Sequence, residues 1–485
     1  MEHILELQQI IYSVLKTQIQ FGVYRIGERL PTMEDACRLF GVSIRTIRSA
    51  YQQLQQEGLI TISKKIGVKV NVHYSEDEIE DHIQKFFISR KEALIDLSQS
   101  MRPLLSGVQW LSNQNASPKL LNEIEQLTRS NEIPRPYKMV LKLQMIYGSL
   151  NNRLVMRLVL QIYMFLLSPF LSVPKTLKGL EPEHSPLPQI IDLCQKQDWS
   201  QLQIAIEAFE EQLSSSLYQF YEERIHTPIP EIQESFQWSG YQKASQRCYT
   251  LGMEILIGIS WGRYPAGSKL PPISKLAEEK NVSAITIRRT LSLLNGIGVT
   301  NTVNGVGTYI LPLKDVPAHC DFTSPAVSKR LLDFVQSLQI LALSCKQVAE
   351  ITFSPDNGNA IEQCIERLTM LLHRHRCELT AYSILELITH LAPLHAVRTV
   401  YTALFHQLLW GYPIRTMRAD QVSLNKYHRP HLTVFLECLE KADIERLANE
   451  LENILLSELD FTVGQLVKLG ITKAAGFSMN HDKVK

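Results

Sequence analysis

GERLPTMEDACRLFGVSIRTIRSAYQQLQQEGLI, Gly27 to Ile60, recurs as GSKLPPISKLAEEKNVSAITIRRTLSLLNGIGVT, Gly267 to Thr300. The two align without a gap at an offset of 240 residues, sharing Gly, Leu, Pro, Val, Ser, Thr, Ile, Arg, Leu and Gly at matched positions. Local chemistry assigns each part of the repeat a shape. Ile11, Leu15 and Ile19 stand at helical spacing before it, so a helix is expected over about Gln8 to Gln20, stopped by Gly22. GVYRIGERLP reads as a turn. Thr32 can cap a short helix that Gly41 breaks, and Ser43 can cap a third helix over about Ile44 to Glu57. LITISKKIGVKVNV then alternates like two strands joined through Lys64 to Gly67. The second copy repeats the order, with helices expected at about Ala244–Ser260, Ile273–Lys280 and Ala284–Asn295 and a hairpin from Val299 to Leu311. Three helices and a hairpin make a winged helix-turn-helix, present twice.

Charge follows the repeat. Between Gln9 and Val72 nine Lys/Arg face four Asp/Glu, a local charge of +5. Between Tyr249 and Pro312 six face three, giving +3. The whole chain of 485 residues carries only +1, so the remainder is at −7. Two basic modules in an otherwise acidic protein are the electrostatic footprint of a polyanion that touches the modules alone.

A helix-turn-helix lays its last helix in the major groove, with the N-terminal residues of that helix near base edges and phosphates. Ile47, Ala50, Tyr51 and Leu54 are expected to face the core, leaving Arg45, Arg48 and Gln52 outward. In the second copy Ile287, Leu291 and Leu294 go inward and Arg288 and Arg289 point out. Ser43 and Ser283 cap these helices and, with Thr46 and Thr286, are expected to hold a phosphate at the helix start. In the first wing Lys64, Lys65 and Lys69 are expected along the duplex; the second wing has no lysine and offers Asn304 between glycines.

The ordered set G-x-Y-x-x-G-x-x-LP, VS-x-x-T-I-R, L-x-x-x-G and a wing glycine (Gly67, Gly307) resembles the GntR family of bacterial transcription regulators over about 63 residues in each half. The resemblance implies an operator-binding winged helix, a C-terminal domain that senses a small metabolite, and pairing on a palindrome as a homodimer. Two arginines usual in the family are absent. Ile44 and Ala284 follow the VS pairs, and Glu34 and Ser274 stand three residues after the LP prolines. Arg45 stands next to the first gap, whereas Ile285 occupies its place in the second copy.

Some 165 residues after each module read as helices, so the fold class is mainly α, a tandem duplication. The expected domains are winged helices at 1–74 and 241–314 and helical bundles at 75–240 and 315–485. IIDLCQKQDWSQLQIAIEAFEEQL around Asp198 and FLECLEKADIERLANELENIL around Asp443 link the two bundles faintly. LKLQMIYGSLNNRLVMRLV, Leu141 to Val159, looks like the central helix pair of the family's fatty-acid-regulator type of bundle, which often holds a metal through Asp and three His. The histidines here lack that spacing: His82, His184 and His226 are far apart, and His373 and His375 point to different sides of a helix. No metal and no cofactor are therefore expected.

No GxSxG, Walker loop, HExxH or dinucleotide turn occurs, which argues against an enzyme. Eight scattered cysteines without a CxxC, and an N-terminus without a signal-peptide pattern, point to the reducing cytoplasm. LVMRLVLQIYMFLLSPFL (Leu154–Leu171) is broken by Arg157, Gln161 and Pro169 and reads as a buried helix, with no membrane partner expected. Three readings remain open. One is a regulator on double-stranded DNA, working as an intramolecular pseudo-dimer or a homodimer and tuned by a small-molecule effector. Another is an interaction scaffold that retains the fold without binding DNA. The third is a replication initiator built from two winged helices.

Overall fold

Helix α1 (Glu2–Gln20) buries Ile11, Leu15 and Ile19 along one face and ends at Gly22, whose φ of +72° is open to glycine. The computed structural model describes residues 2–63, 67–129, 135–173, 186–226, 228, 230–238 and 243–478. Thr32 caps α2 (Met33–Phe40) by accepting the Asp35 N–H at 3.1 Å, and Gly41 closes it in the left-handed region. Ser43 caps α3 (Ile44–Gln56). Ile47, Ala50, Tyr51 and Leu54 of α3 are wholly buried, each large one contributing roughly 1.5–3 kcal/mol. The Tyr51 hydroxyl donates to the Pro31 carbonyl at 2.7 Å, and Lys16, Tyr12 and Glu57 join α1 to the end of α3. β1 (Ile60–Ser63) and β2 (Gly67–Val70) pair antiparallel with Ile60 opposite Val70.

The expected turn GVYRIGERLP does more than turn. Leu30 N–H donates to the Val68 carbonyl at 3.0 Å and Val70 N–H to the Glu28 carbonyl at 3.0 Å, so this segment adds a third strand-like edge to the wing. Its pairing runs through backbone alone and leaves no side-chain pattern.

The chain divides into two compact units, Met1–Trp238 with Leu394–Ala396, and Ser239–Pro393 with Val397–Lys485. In the first, the acidic joint YSEDEIEDH turns out to be a helix start. Ser75 and Glu78 form a capping box that opens α4 (Glu76–Ile88). The bundle continues with α5 (Lys91–Gln114), α6 (Pro118–Arg129), α7 (Arg135–Gly148), α8 (Arg153–Ile162), α9 (Ser168–Leu171), α10 (Leu187–Lys196) and α11 (Trp199–Arg224). α5 packs along α11, and Phe87, Phe170, Phe220 and Tyr221 cluster with Phe21 from the end of α1. Val140, Tyr163 and Met164 join the same apolar cluster as Ile47 and Leu54, so the first winged helix shares its core with its own bundle. Residues 153–171 are long and apolar enough to cross a membrane, yet most of that stretch is buried within the unit.

The second unit repeats the winged helix: α12 (Lys243–Ser260), α13 (Ile273–Glu279), α14 (Ala284–Gly296), β3 (Thr300–Val303) and β4 (Gly307–Ile310). Ile287, Leu291 and Leu294 of α14 are buried. Leu270 N–H reaches the Thr308 carbonyl at 2.9 Å, giving the same third edge. Beyond the wing a short helix, α15 (Val316–His319), folds back under the end of α14. The bundle then runs through α16 (Pro325–Thr352), α17 (Gly358–His373), α18 (Thr380–Leu391), α19 (His395–Gln407), α20 (Tyr412–Arg415), α21 (Gln421–Glu440) and α22 (Ile444–Lys468), with α16 packed along α22. The bundle likeness noted in the sequence has a common structural form. A helix ends on a left-handed residue, Gln197 or Ala442, and the next begins on an Asp cap, Asp198 or Asp443.

Candidate nucleic-acid interface

The start of each third helix is built alike. Ser43 Oγ accepts the Thr46 N–H at 3.3 Å and pairs with Thr46 Oγ1 at 2.8 Å; Ser283 and Thr286 do the same at 3.2 and 2.9 Å. This fixes the first turn while leaving the N–H groups of its first two residues without intrahelical partners, where the helix dipole favours an anion.

The exposed side of α3 carries Ser43, Ile44, Arg45, Arg48 and Gln52; that of α14 carries Ser283, Ile285, Arg288 and Arg289. None of these four arginines enters an ion pair among the described residues. Arg38 on α2, by contrast, is bound to Asp35. Hydrogen bonds from Thr32 and then Arg38 hold the Asp35 carboxyl below its usual range. Cations without internal partners lose nothing inside the protein when they meet phosphates or base edges.

Two sequence-based expectations change. Thr46 is only 3% exposed, and its N–H and hydroxyl are both engaged with Ser43, so it braces the cap instead of presenting a phosphate ligand. Its position one turn before buried Ala50 puts it on the core side of the helix. Thr286 is half-buried with the same partner. In the wings, Lys69 is half-buried beside Arg29, Asn304 is exposed at the second tip, and Lys64 and Lys65 lie outside the described residues. Arg29 and Lys269 were missed by the sequence reading. Both are exposed and sit on the third edges, opposite Lys69 and Tyr309, and Lys269 Nζ lies 5.1 Å from the Tyr309 ring centre. The signal was their shared offset inside the segment read as a turn.

The two faces differ in polarity. Where α3 has Arg45, α14 has Ile285, 60% exposed, and the second wing exposes Val303 and Val306. The first face is cationic at Arg45 and Arg48 beside exposed Ile44; the second is cationic at Arg288 and Arg289 beside exposed Ile285, Val303 and Val306.

Residues 7–70 and 250–310 each match the family described as bacterial regulatory proteins, gntR family. The chain is 34% identical over 76 residues to the Uxu operon regulator of Haemophilus influenzae, 15% of this chain and 29% of that protein. It is 34% identical over 82 residues to the HTH-type transcriptional regulator GgaR of Escherichia coli, 16% of this chain and 33% of that one. The match thus spans about a third of the length of these relatives. Among solved structures, a Streptococcus agalactiae GntR protein aligns at 17% identity and a TM-score of 0.20, covering 44% of this chain and 98% of that one. E. coli McbR/YncC aligns at 17% and 0.23 with the same coverage. With one match in each half, the chain carries two tandem winged helix-turn-helix segments of the gntR family.

Proposed function

We propose that the chain is a cytoplasmic, non-catalytic transcription regulator that binds duplex DNA sequence-specifically, laying α3 and α14 in the major grooves of two half-sites, under control of a small-molecule effector. The observation that carries this reading is the repetition of one capped, arginine-bearing helix start at a fixed offset, in two segments that match the same regulator family. A single reader binds weakly, and salt erodes its phosphate contacts. Two in one polypeptide make the second contact intramolecular, at an effective concentration that reaches millimolar with a suitable linker. They also free the half-sites from being identical. Selection of bound fragments from the source genome, followed by a salt titration, tests the reading. Retained fragments share two motifs, and specific binding persists at about 0.15 M salt with log K falling linearly in log salt. Equal binding to all fragments overturns the proposal.

The polarity difference refines it. Arginine pairs with guanine O6 and N7, while an exposed aliphatic side chain contacts the thymine methyl. Arg45 therefore favours guanine in one half-site and Ile285 favours thymine in the other. Replacing the contacted thymine by uracil removes one methyl, worth about 0.8 kcal/mol when buried, and weakens binding about fourfold. The Ile285→Ala variant loses that sensitivity. The exposed Ile285, Val303 and Val306 also favour a second reading in which the second module docks a protein. Under it only one motif is selected and uracil has no effect.

A further inference from the structure

Within the second unit, a cavity of about 100 Å³, partly open to solvent, lies where the winged helix meets its own bundle. Ser260, the last residue of α12, and Leu313, just past β4, form part of its wall, and the rest comes from α18, α20, α21, α22 and the segments before α18 and between α20 and α21. That volume suits only a ligand of a few heavy atoms.

Its lining combines two ion pairs with buried polar atoms that lack hydrogen-bond partners. Arg376 Nε donates to Glu378 Oε1 at 2.6 Å, and Arg418 Nη1 donates to Glu458 Oε2 at 2.8 Å. The second oxygen of each acid, Glu378 Oε2 and Glu458 Oε1, is buried without a hydrogen-bond partner. So are Arg415 Nε and Gln421 Nε2. Native interiors leave few buried polar atoms unsatisfied, and two donors and two acceptors of this kind line one cavity here. Arg415 makes no ion pair among the described residues; its guanidinium lies 3.9 Å from the Tyr382 ring centre. Three arginines against two glutamates leave one positive charge unmatched. Burial also pushes the Glu458 carboxyl above its usual range, against the pull of Arg418 and Arg415. Leu424, Leu455 and Tyr412 supply the apolar part of the wall.

We infer that this cavity binds a small carboxylate that also carries hydroxyl or amino donors, with the anion on Arg415 and Gln421 and the donors on Glu378 and Glu458. The inference rests on the regulator reading only for its consequence. Ser260 ends the first helix of the winged helix and Leu313 follows its wing, so a ligand filling the cavity touches both. It thereby favours one seating of α12 and the wing on the bundle, and acts on DNA affinity through that preference.

The test is thermal unfolding of the full chain, without DNA, against simple amino acids and hydroxy acids such as serine and lactate at 10 mM. Acetate and glycerol serve as controls that carry only one of the two features. At least one donor-bearing acid raises the midpoint by about 2 °C or more, and neither control does. The shift disappears in Arg415→Met and shrinks in Gln421→Ala; circular dichroism checks that each variant is folded, and either folded variant alone decides the point. No shift with any of these acids overturns the ligand class, as does an equal shift with acetate or glycerol. A shift that survives in both variants overturns the site. Because DNA is absent, failure of the DNA-binding reading leaves this result untouched. With the binding acid present, affinity for the second half-site changes in the wild type and not in Arg415→Met.

Discussion

Replacing Arg48 by alanine weakens binding of the full chain to its operator by roughly 5- to 150-fold at fixed salt, the range set by about 1–3 kcal/mol for a bidentate arginine contact. Arg48 stands one turn into α3 and is exposed, at the edge of the face that buries Ile47 and Tyr51. It has no ion-pair partner among the described residues, so its removal breaks no internal interaction, and stability stays within about 0.5 kcal/mol. The loss falls on DNA affinity alone. Arg288, its counterpart 240 residues on, has the same exposure and the same cap beneath it, so Arg288→Ala produces a loss of the same kind. Fluorescence anisotropy across a salt series also sorts the contacts. If an arginine grips a phosphate, the salt slope falls by about one; if it reads a base, affinity falls and the slope holds. Unchanged affinity for both variants contradicts the placement of α3 and α14 on DNA.

The second large effect concerns stability and exploits the duplication. Gly58 and Gly298 occupy matched positions after the recognition helices, with φ of +75° and +73°. Alanine at either must enter the left-handed region, at about 1–2 kcal/mol. At Gly58 a Cβ meets nothing within 4 Å, so that is the whole cost. At Gly298 it would lie 2.4 Å from the Val316 carbonyl oxygen and 3.2 Å from Cys320 N, because α15 folds back there. Those are backbone atoms, so α15 must move, adding about 1–3 kcal/mol. Gly298→Ala is therefore expected to cost about 2–5 kcal/mol and to lower the unfolding midpoint of the second unit by several degrees more than Gly58→Ala lowers that of the first. Calorimetry of the two variants checks it. Equal drops contradict the packing of α15 under α14.

The readers were legible because their punctuation is chemical. Thr32, Ser43 and Ser283 are caps, Gly22, Gly41 and Gly58 adopt positive φ, and the buried faces of α3 and α14 follow helical spacing. Cap chemistry alone does not show the burial of Thr46; helical phase does, since Thr46 lies one turn before buried Ala50 on the same face. The capping box at Ser75 and Glu78 was present in the sequence, but its acidic neighbours suggested a joint. The third wing edge, and with it Arg29 and Lys269, rests on backbone hydrogen bonds that no side chain announces. The cavity of the second unit was illegible for another reason. Ser260, Leu313, Arg376, Arg415 and Glu458 come from segments nearly 200 residues apart, and only packing brings them together.

The central claim is that both readers of one chain grip a single duplex. Hydroxyl-radical footprinting on a selected operator tests it most directly, comparing the wild-type chain with Arg288→Ala/Arg289→Ala. The account predicts two protected half-sites for the wild type, and for the variant selective loss of the half-site whose thymine contact depends on Ile285. A single protected half-site that the variant leaves unchanged would contradict it.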